Sequence, residues 1–178
     1  MKHLFSYIQD KIFFHLYYMK VPVRYLPKSL SKKDRKKQSK MLLKSRKQYK
    51  KHKYYTRKKV ASFKSQKSKH ILKAQKMYGI KNMTVNKQLA SKTGCKLSAL
   101  KQIVKKGEGA YYSSGSRPNQ TPQSWGLARL ASSITAGNAA LVDYNILEKG
   151  CNHNGKAFRL ANKLTKSRKL RKARKTIV

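Results

Sequence analysis

The stretch Val85–Gly107, VNKQLASKTGCKLSALKQIVKKG, decides how the chain folds. Its apolar residues recur at helical spacing on both sides of one glycine. Leu89 and Ala90 face inward on a first helix. Gly94 follows four residues after Ala90, where a left-handed turn residue is needed. Cys95 fills an apolar turn position. Leu97, Leu100, Ile103 and Val104 then give a second helix its buried stripe, which the spacing ends at Gly107. The reading is helix, tight turn, helix.

Such a pair resembles the helix-turn-helix of many DNA-binding domains, in which a small residue lets the helices approach and glycine permits the turn. The exposed face of the second helix would carry Lys101, Gln102, Lys105 and Lys106. Lysines there suit phosphate oxygens, and Gln102 suits a base edge. A plain helical hairpin that completes a core is the competing reading.

Downstream, Gly107–Gly137 is nearly neutral and rich in Gly, Ser and aromatic residues. Gly107, Gly109 and Gly115 with the intervening serines predict an irregular loop closed by Arg117-Pro118. Ser114, Ser116 and Arg117 with backbone N–H groups form a candidate phosphate loop. Thr121 before Pro122 predicts a capped helix to about Ala136, with Leu127, Leu130, Ala131 and Ile134 as its core stripe. Trp125 and Arg129 lie on an adjoining face. A further helix, Asn138 to Lys149, would bury Leu141, Tyr144 and Leu147. In the structural alternative to a phosphate loop, Arg117 and Arg129 pair with Asp143 and Glu148 and lock a compact core.

Charge surrounds this island. Lys and Arg number 45 against 5 Asp and Glu, a formal net charge of +40. No fold can pair most of those cations internally, so a polyanion partner is implied. Residues 20–76 hold 23 cations and one acid, Asp34; residues 156–178 hold 10 and none. Ser31 with Asp34 resembles a capping box for a helix from about Lys32 to Lys53. Its lysines repel along every face, and only Leu30, Met41, Leu42 and Tyr49 offer an apolar stripe, so alone it should fray until a polyanion binds. The candidate nucleic-acid-binding residues here are Lys32, Lys33, Arg35, Lys36, Lys37, Arg46, Lys47, Arg57, Lys58 and Lys59. Tyr49, Tyr54, Tyr55 and Phe63, interleaved with lysines, either stack on bases or pack on neighbours. At the other end, Phe158, Ala161 and Leu164 predict a docked half-helix from which Lys169, Arg171, Lys172 and Arg174 project, in a cluster that also suits nuclear localisation. Residues 1–19 are apolar but broken by Asp10 and Lys11, too interrupted for a membrane span; Met19 is the alternative start.

No catalytic constellation emerges. His153 is the only histidine near the serines, and no G-x-S-x-G elbow occurs. Glu108, Asp143 and Glu148 would make a metal-dependent nuclease only if folding gathered them. Cys95, Cys151 and His153 lack any familiar zinc spacing. Two distant cysteines read as reduced thiols in a cytosolic or nuclear setting. No metal, cofactor or catalytic residue is therefore assigned.

One resemblance goes beyond composition. Gly107, Ala110, Tyr111, Gly115, Arg117, Pro118, Thr121, Pro122, Trp125, Ala128, Arg129 and Gly137 resemble the pattern of a small domain of unknown function. That domain occurs in large eukaryotic DNA viruses of algae and amoebae and in some tailed phages. The resemblance spans about Lys76 to Leu147, and the basic VRYLPKSLSKKDRKKQ segment is similar to the N-terminal part of giant-virus proteins. Phage members tend to carry a second Asp where this chain has Asn145, two residues after Asp143, which weakens a carboxylate pair. The resemblance implies a viral origin and a virion-associated role, and no activity. The combined expectation is a mainly α fold: an N-terminal extension at 1–19, a basic arm at 20–76, a helical core domain with a helix-turn-helix-like pair at 77–155, and a basic tail at 156–178, the arms partly disordered. The expected function is non-enzymatic binding of nucleic acid, DNA rather than RNA, in a virion core or host nucleus, with the cytoplasm also open. A minor capsid protein whose arms bridge acidic surfaces of capsid or core proteins is the alternative, and a nucleic-acid-processing enzyme the third class.

Overall fold

Gly94, Gly115 and one threonine-proline pair set where the central helices begin and end. A computed structural model describes residues 21–175, with side chains as far as Arg168. Among these residues the chain is mainly helical, with no strand. After a short 3-10 turn at Val23–Tyr25 come α1 (Lys32–Tyr49), α2 (Lys69–Tyr78), α3 (Lys87–Thr93) and α4 (Leu97–Ser113). They are followed by α5 (Pro122–Ile134), α6 (Asn138–Val142), α7 (Tyr144–Gly150) and α8 (Lys156–Lys175).

The helix–turn–helix reading matches α3 and α4. Asn86 caps α3 by accepting from the Leu89 N–H, and Gly94 takes the left-handed conformation with φ of 70°. Leu89, Leu100 and Ile103 are fully buried. The predicted end at Gly107 is wrong: α4 runs on to Ser113. Gly107 and Gly109 are helical, and the chain leaves the helix only at Gly115, with φ of 99°. The reason for Gly107 lies in the partner helix. A Cβ there would sit 2.6 Å from the Cα of Gly126 in α5. The two glycines let α4 and α5 cross almost backbone to backbone, and this is the main packing contact of the fold.

Thr121 caps α5 with Ser124 as the reciprocal partner and Pro122 in the first turn. Leu130, Ala131 and Ile134 lie wholly inside, with Leu147 of α7 and Ala157, Phe158 and Ala161 of α8. The single helix expected over 138–149 is two, broken at Asp143, whose carboxylate turns into the core. The first half of α8 docks as expected, and Tyr78 of α2 donates from its hydroxyl to the Ile134 carbonyl at 2.6 Å. Burial pushes the Tyr78 phenol pKa upward.

The cysteines are not free thiols. Lys96 N–H donates to the Gly150 carbonyl and Asn152 N–H to the Gly94 carbonyl, each at 2.7 Å. This two-rung antiparallel bridge sets Cys95 opposite Cys151, and they form a disulfide with S–S of 2.04 Å. The residues are 56 apart in sequence, so no local spacing announces the pair. Closing a loop of that size restricts the unfolded chain by about 4 kcal/mol in the chain-entropy treatment.

The basic segment expected to fray is instead helical and docked. Gln38, Met41, Leu42 and Ser45 form the buried face of α1. Leu30, Met41 and Val60 make a small second core, against which Tyr55 and Phe63 pack. Ser31 caps α1 through the Asp34 N–H, but Asp34 does not complete the box. Its carboxylate accepts from the N–H and hydroxyl of Ser62, at 2.8 and 2.7 Å, and so ties the returning chain to the helix. Asn119 accepts from the Val60 N–H and donates to the Val60 and Phe63 carbonyls. The apolar stripe that looked thin in the sequence suffices because the partner surface supplies hydrogen bonds as well as contacts. The N-terminal extension, residues 1–19, and the question of a start at Met19 lie outside the described residues.

Candidate nucleic-acid interface

Extension of α4 beyond Gly107 creates a groove along its exposed side. Gln102, Lys105, Gly109 and Ser113 fall on one face at successive turns of the helix. Gly109, Ala110 and Ser113 form a floor without long side chains. Tyr49 at the end of α1 walls one side, and Val142 and Ile146 of α6 and α7 wall the other. Gln102, Lys105, Lys106 and Arg129 supply the polar lining of a groove of about 680 Å³. Of the four residues predicted on this face, Gln102, Lys105 and Lys106 line the groove, and Lys101 is exposed beside them.

Asp143 organises the polar end. Arg129 grips it with Nε at 2.9 Å and Nη2 at 2.7 Å, Ser133 Oγ donates at 2.7 Å, and Lys106 Nζ stands 3.1 Å away. Burial pushes the Asp143 carboxyl up, but the hydrogen bonds from Arg129 and Ser133 and the Arg129 charge outweigh it, leaving its pKa below the ordinary aspartate value. The predicted Arg129–Asp143 pair is therefore present. Arg117 and Glu148 take no part in it; both are exposed. Ion pairs between described residues converge on this one carboxylate. Lys106 Nζ also donates to the Val142 carbonyl at 3.0 Å and is engaged, while Lys105 faces the groove.

A second basic surface runs along α1. Lys33, Lys37, Lys40, Lys44 and Lys47 are exposed at alternating four- and three-residue spacing, opposite the buried face. They form a ridge about 21 Å long at the helical rise. Lys32, Arg35 and Lys36 flank it, exposed, and Lys58 and Lys59 are exposed on the returning segment. Lys37 Nζ also donates to the Lys59 carbonyl at 3.2 Å, and Lys44 lies 4.7 Å over the Tyr55 ring.

Two predicted residues belong to the interior. Arg57 is 8% exposed, and its guanidinium sits 3.7 Å over the Tyr111 ring. It donates to Ser45 Oγ, the Tyr111 carbonyl and Ser116 Oγ at 3.1, 3.0 and 2.8 Å. Burial lowers its pKa, yet a guanidinium stays charged. Arg57 is thus a clamp between the basic segment and the core, and no phosphate reaches it. Ser116 is fully buried by the same contacts. Arg46 is half-buried and donates to the Ser114 carbonyl at 2.7 Å. The candidate phosphate loop is therefore a docking site for two arginines of the chain itself, and only Ser114 and Arg117 remain exposed. The side chains of Lys169, Arg171, Lys172 and Arg174 lie outside the described residues, on the second half of α8.

The tyrosines divide. Tyr55 and Phe63 pack half-buried against the second core, whereas Tyr49, which lines the groove, clusters with Tyr54 and Tyr112, with centroids 5.0–6.3 Å apart. Tyr112 falls within the loop that the glycines and serines predict, so nothing in the sequence singles it out. Once α4 is carried to Ser113, the helical period brings it to the same side as Lys105.

Among the described residues, no three His, Cys, Asp or Glu side chains gather as a metal site. Nor is any described helix long and apolar enough to cross a membrane. No curated protein and no solved structure matches the chain. Residues 22–154 match the model of a family of unknown function (DUF5824), a span that takes in the 3-10 turn, α1 to α7 and the disulfide. The chain belongs to that family.

Proposed function

We propose that this protein binds nucleic acid through backbone electrostatics, with DNA its partner in a viral core or packaged genome. The observation that carries the reading is the disposition of charge. The chain has 45 cations and 5 acids. Asp143 is buried in the core, and Asp34 is tied to Ser62. The lysine ridge of α1 and Lys105 of the α4 groove are left facing solvent, and a polyanion is the partner that relieves their repulsion. The viral setting, in the virion or the host nucleus, is inferred from the resemblance described above. The role proposed is binding rather than catalysis.

Titration of a fluorescent duplex across salt concentrations tests the reading. Roughly eight phosphate contacts would make log K fall with log salt at a slope near −7. A slope shallower than about −2 would refute it. Absence of nucleic-acid affinity combined with tight binding to acidic capsid or core proteins would favour a minor structural role instead.

A further inference from the structure

Resting on the nucleic-acid reading, we propose that the α4 groove takes a single strand, with Tyr54 as the platform on which an unpaired base stacks. Tyr54 is 70% exposed. It meets Tyr49 and Tyr112 at steep interplanar angles, 66° and 65°, so neither neighbour lies parallel over its ring. Tyr49 and Tyr112 are themselves parallel within 5°, and Tyr49 lines the groove. A large aromatic left this open among lysines is not packing a core.

The ring is also held in place. After α1, His52 adopts the left-handed region with φ of 56°, and Lys53 N–H returns to the Gln48 carbonyl at 3.0 Å. This tight reversal brings Tyr54 back to Tyr112. Left-handed backbone at a non-glycine residue is costly and tends to persist where a site must be held rigid. Here it sets the ring against Tyr49, which lines the groove, before any ligand arrives.

The groove distinguishes a single strand from a duplex. Its walls are Tyr49, Val142 and Ile146, and Val142 is 63% exposed. Apolar walls over a small-residue floor suit the faces of bases. A duplex hides those faces in its own stack and offers phosphates to its surroundings. Lys105 stands beside the slot to meet the backbone of a strand lying in it, and Gln102 to meet a base edge.

The test uses the full chain and three labelled probes of equal length: oligothymidylate, a duplex, and an abasic oligomer that keeps the phosphates and lacks bases. Tyr54→Ala should weaken oligothymidylate binding about 5- to 100-fold, the usual worth of one stacked base. It should leave the duplex and the abasic oligomer unchanged, and Tyr54→Phe should restore the affinity. Circular dichroism of each variant checks that the fold is retained. Equal losses on all three probes, or none on oligothymidylate while the wild type keeps its steep salt dependence, would overturn the stacking site and leave the electrostatic reading standing. If the wild type binds none of the three, both readings fall together.

Discussion

Replacing Gly107 and Gly109 by alanine, one at a time, should shift stability in opposite directions. Both residues lie inside α4, and in a helix interior alanine is favoured over glycine by about 1 kcal/mol. At Gly109 the new methyl would lie 3.5 Å from the Tyr49 hydroxyl, an ordinary contact. Gly109→Ala should therefore stabilise by about 0.5–1 kcal/mol, raising Tm by about 1–4 °C. At Gly107 the methyl would meet the Gly126 Cα at 2.6 Å and the Cβ and Cδ of Arg129 at 3.2 Å. Carbon atoms rest at about 3.5–4 Å, so the helix backbones would have to part by roughly 1 Å. Backbone cannot rotate aside as a side chain can, and the displacement would also disturb the Arg129 grip on Asp143. Overpacking of this kind costs about 1–3 kcal/mol, which exceeds the propensity gain. Net destabilisation of up to about 2 kcal/mol should lower Tm by up to about 8 °C. Thermal unfolding followed by circular dichroism reads both. Stabilisation by Gly107→Ala would show that α4 and α5 do not cross there, and destabilisation by Gly109→Ala would show that the helix does not continue past Gly107.

Asp143→Asn should cost about 2–4 kcal/mol, because the half-buried Arg129 loses its anion. Since the Asp143 pKa is lowered on folding, its contribution is complete above the ordinary aspartate value of 3.8 and disappears as pH falls through the folded value; urea unfolding at a series of acid pH values should show this loss in the wild type and not in Asp143→Asn. Arg57→Met should leave Ser45 and Ser116 without their guanidinium and lower stability by about 2–4 kcal/mol, with limited proteolysis reporting a loosened segment after α1. Under folding conditions it should keep its nucleic-acid affinity, whereas Lys58→Ala with Lys59→Ala should flatten the salt slope without destabilising the fold. Trp125 is half-buried, edge-to-face with Tyr25 at 5.8 Å. Its emission should be blue-shifted and only partly quenched by iodide, and Trp125→Ala should cost about 2–3 kcal/mol; free quenching in a folded protein would refute the packing.

The sequence alone determined the helical class, because apolar residues at 3.6-residue spacing can be buried only by helices. It also determined the Gly94 turn, the Thr121-Pro122 cap, and a surplus of positive charge that no arrangement of five acids can cancel. These are local or compositional properties. Tertiary structure decided the rest. Gly107 reads as a helix stop because glycine is a poor helix former, and only the approach of Gly126 shows that its missing side chain serves a crossing. Arg57 is indistinguishable in sequence from Lys58 and Lys59, yet it is drawn inside by the Tyr111 ring and three oxygens contributed by residues 45, 111 and 116. Cys95 and Cys151 meet because a two-rung bridge aligns them across 56 residues. The tyrosines surrounding Tyr54 come from α1 and α4, so their cluster exists only once those helices pack. Periodicity and charge act within a few residues of the chain, whereas burial, pairing and the shape of a groove depend on which distant segments fill the space beside them.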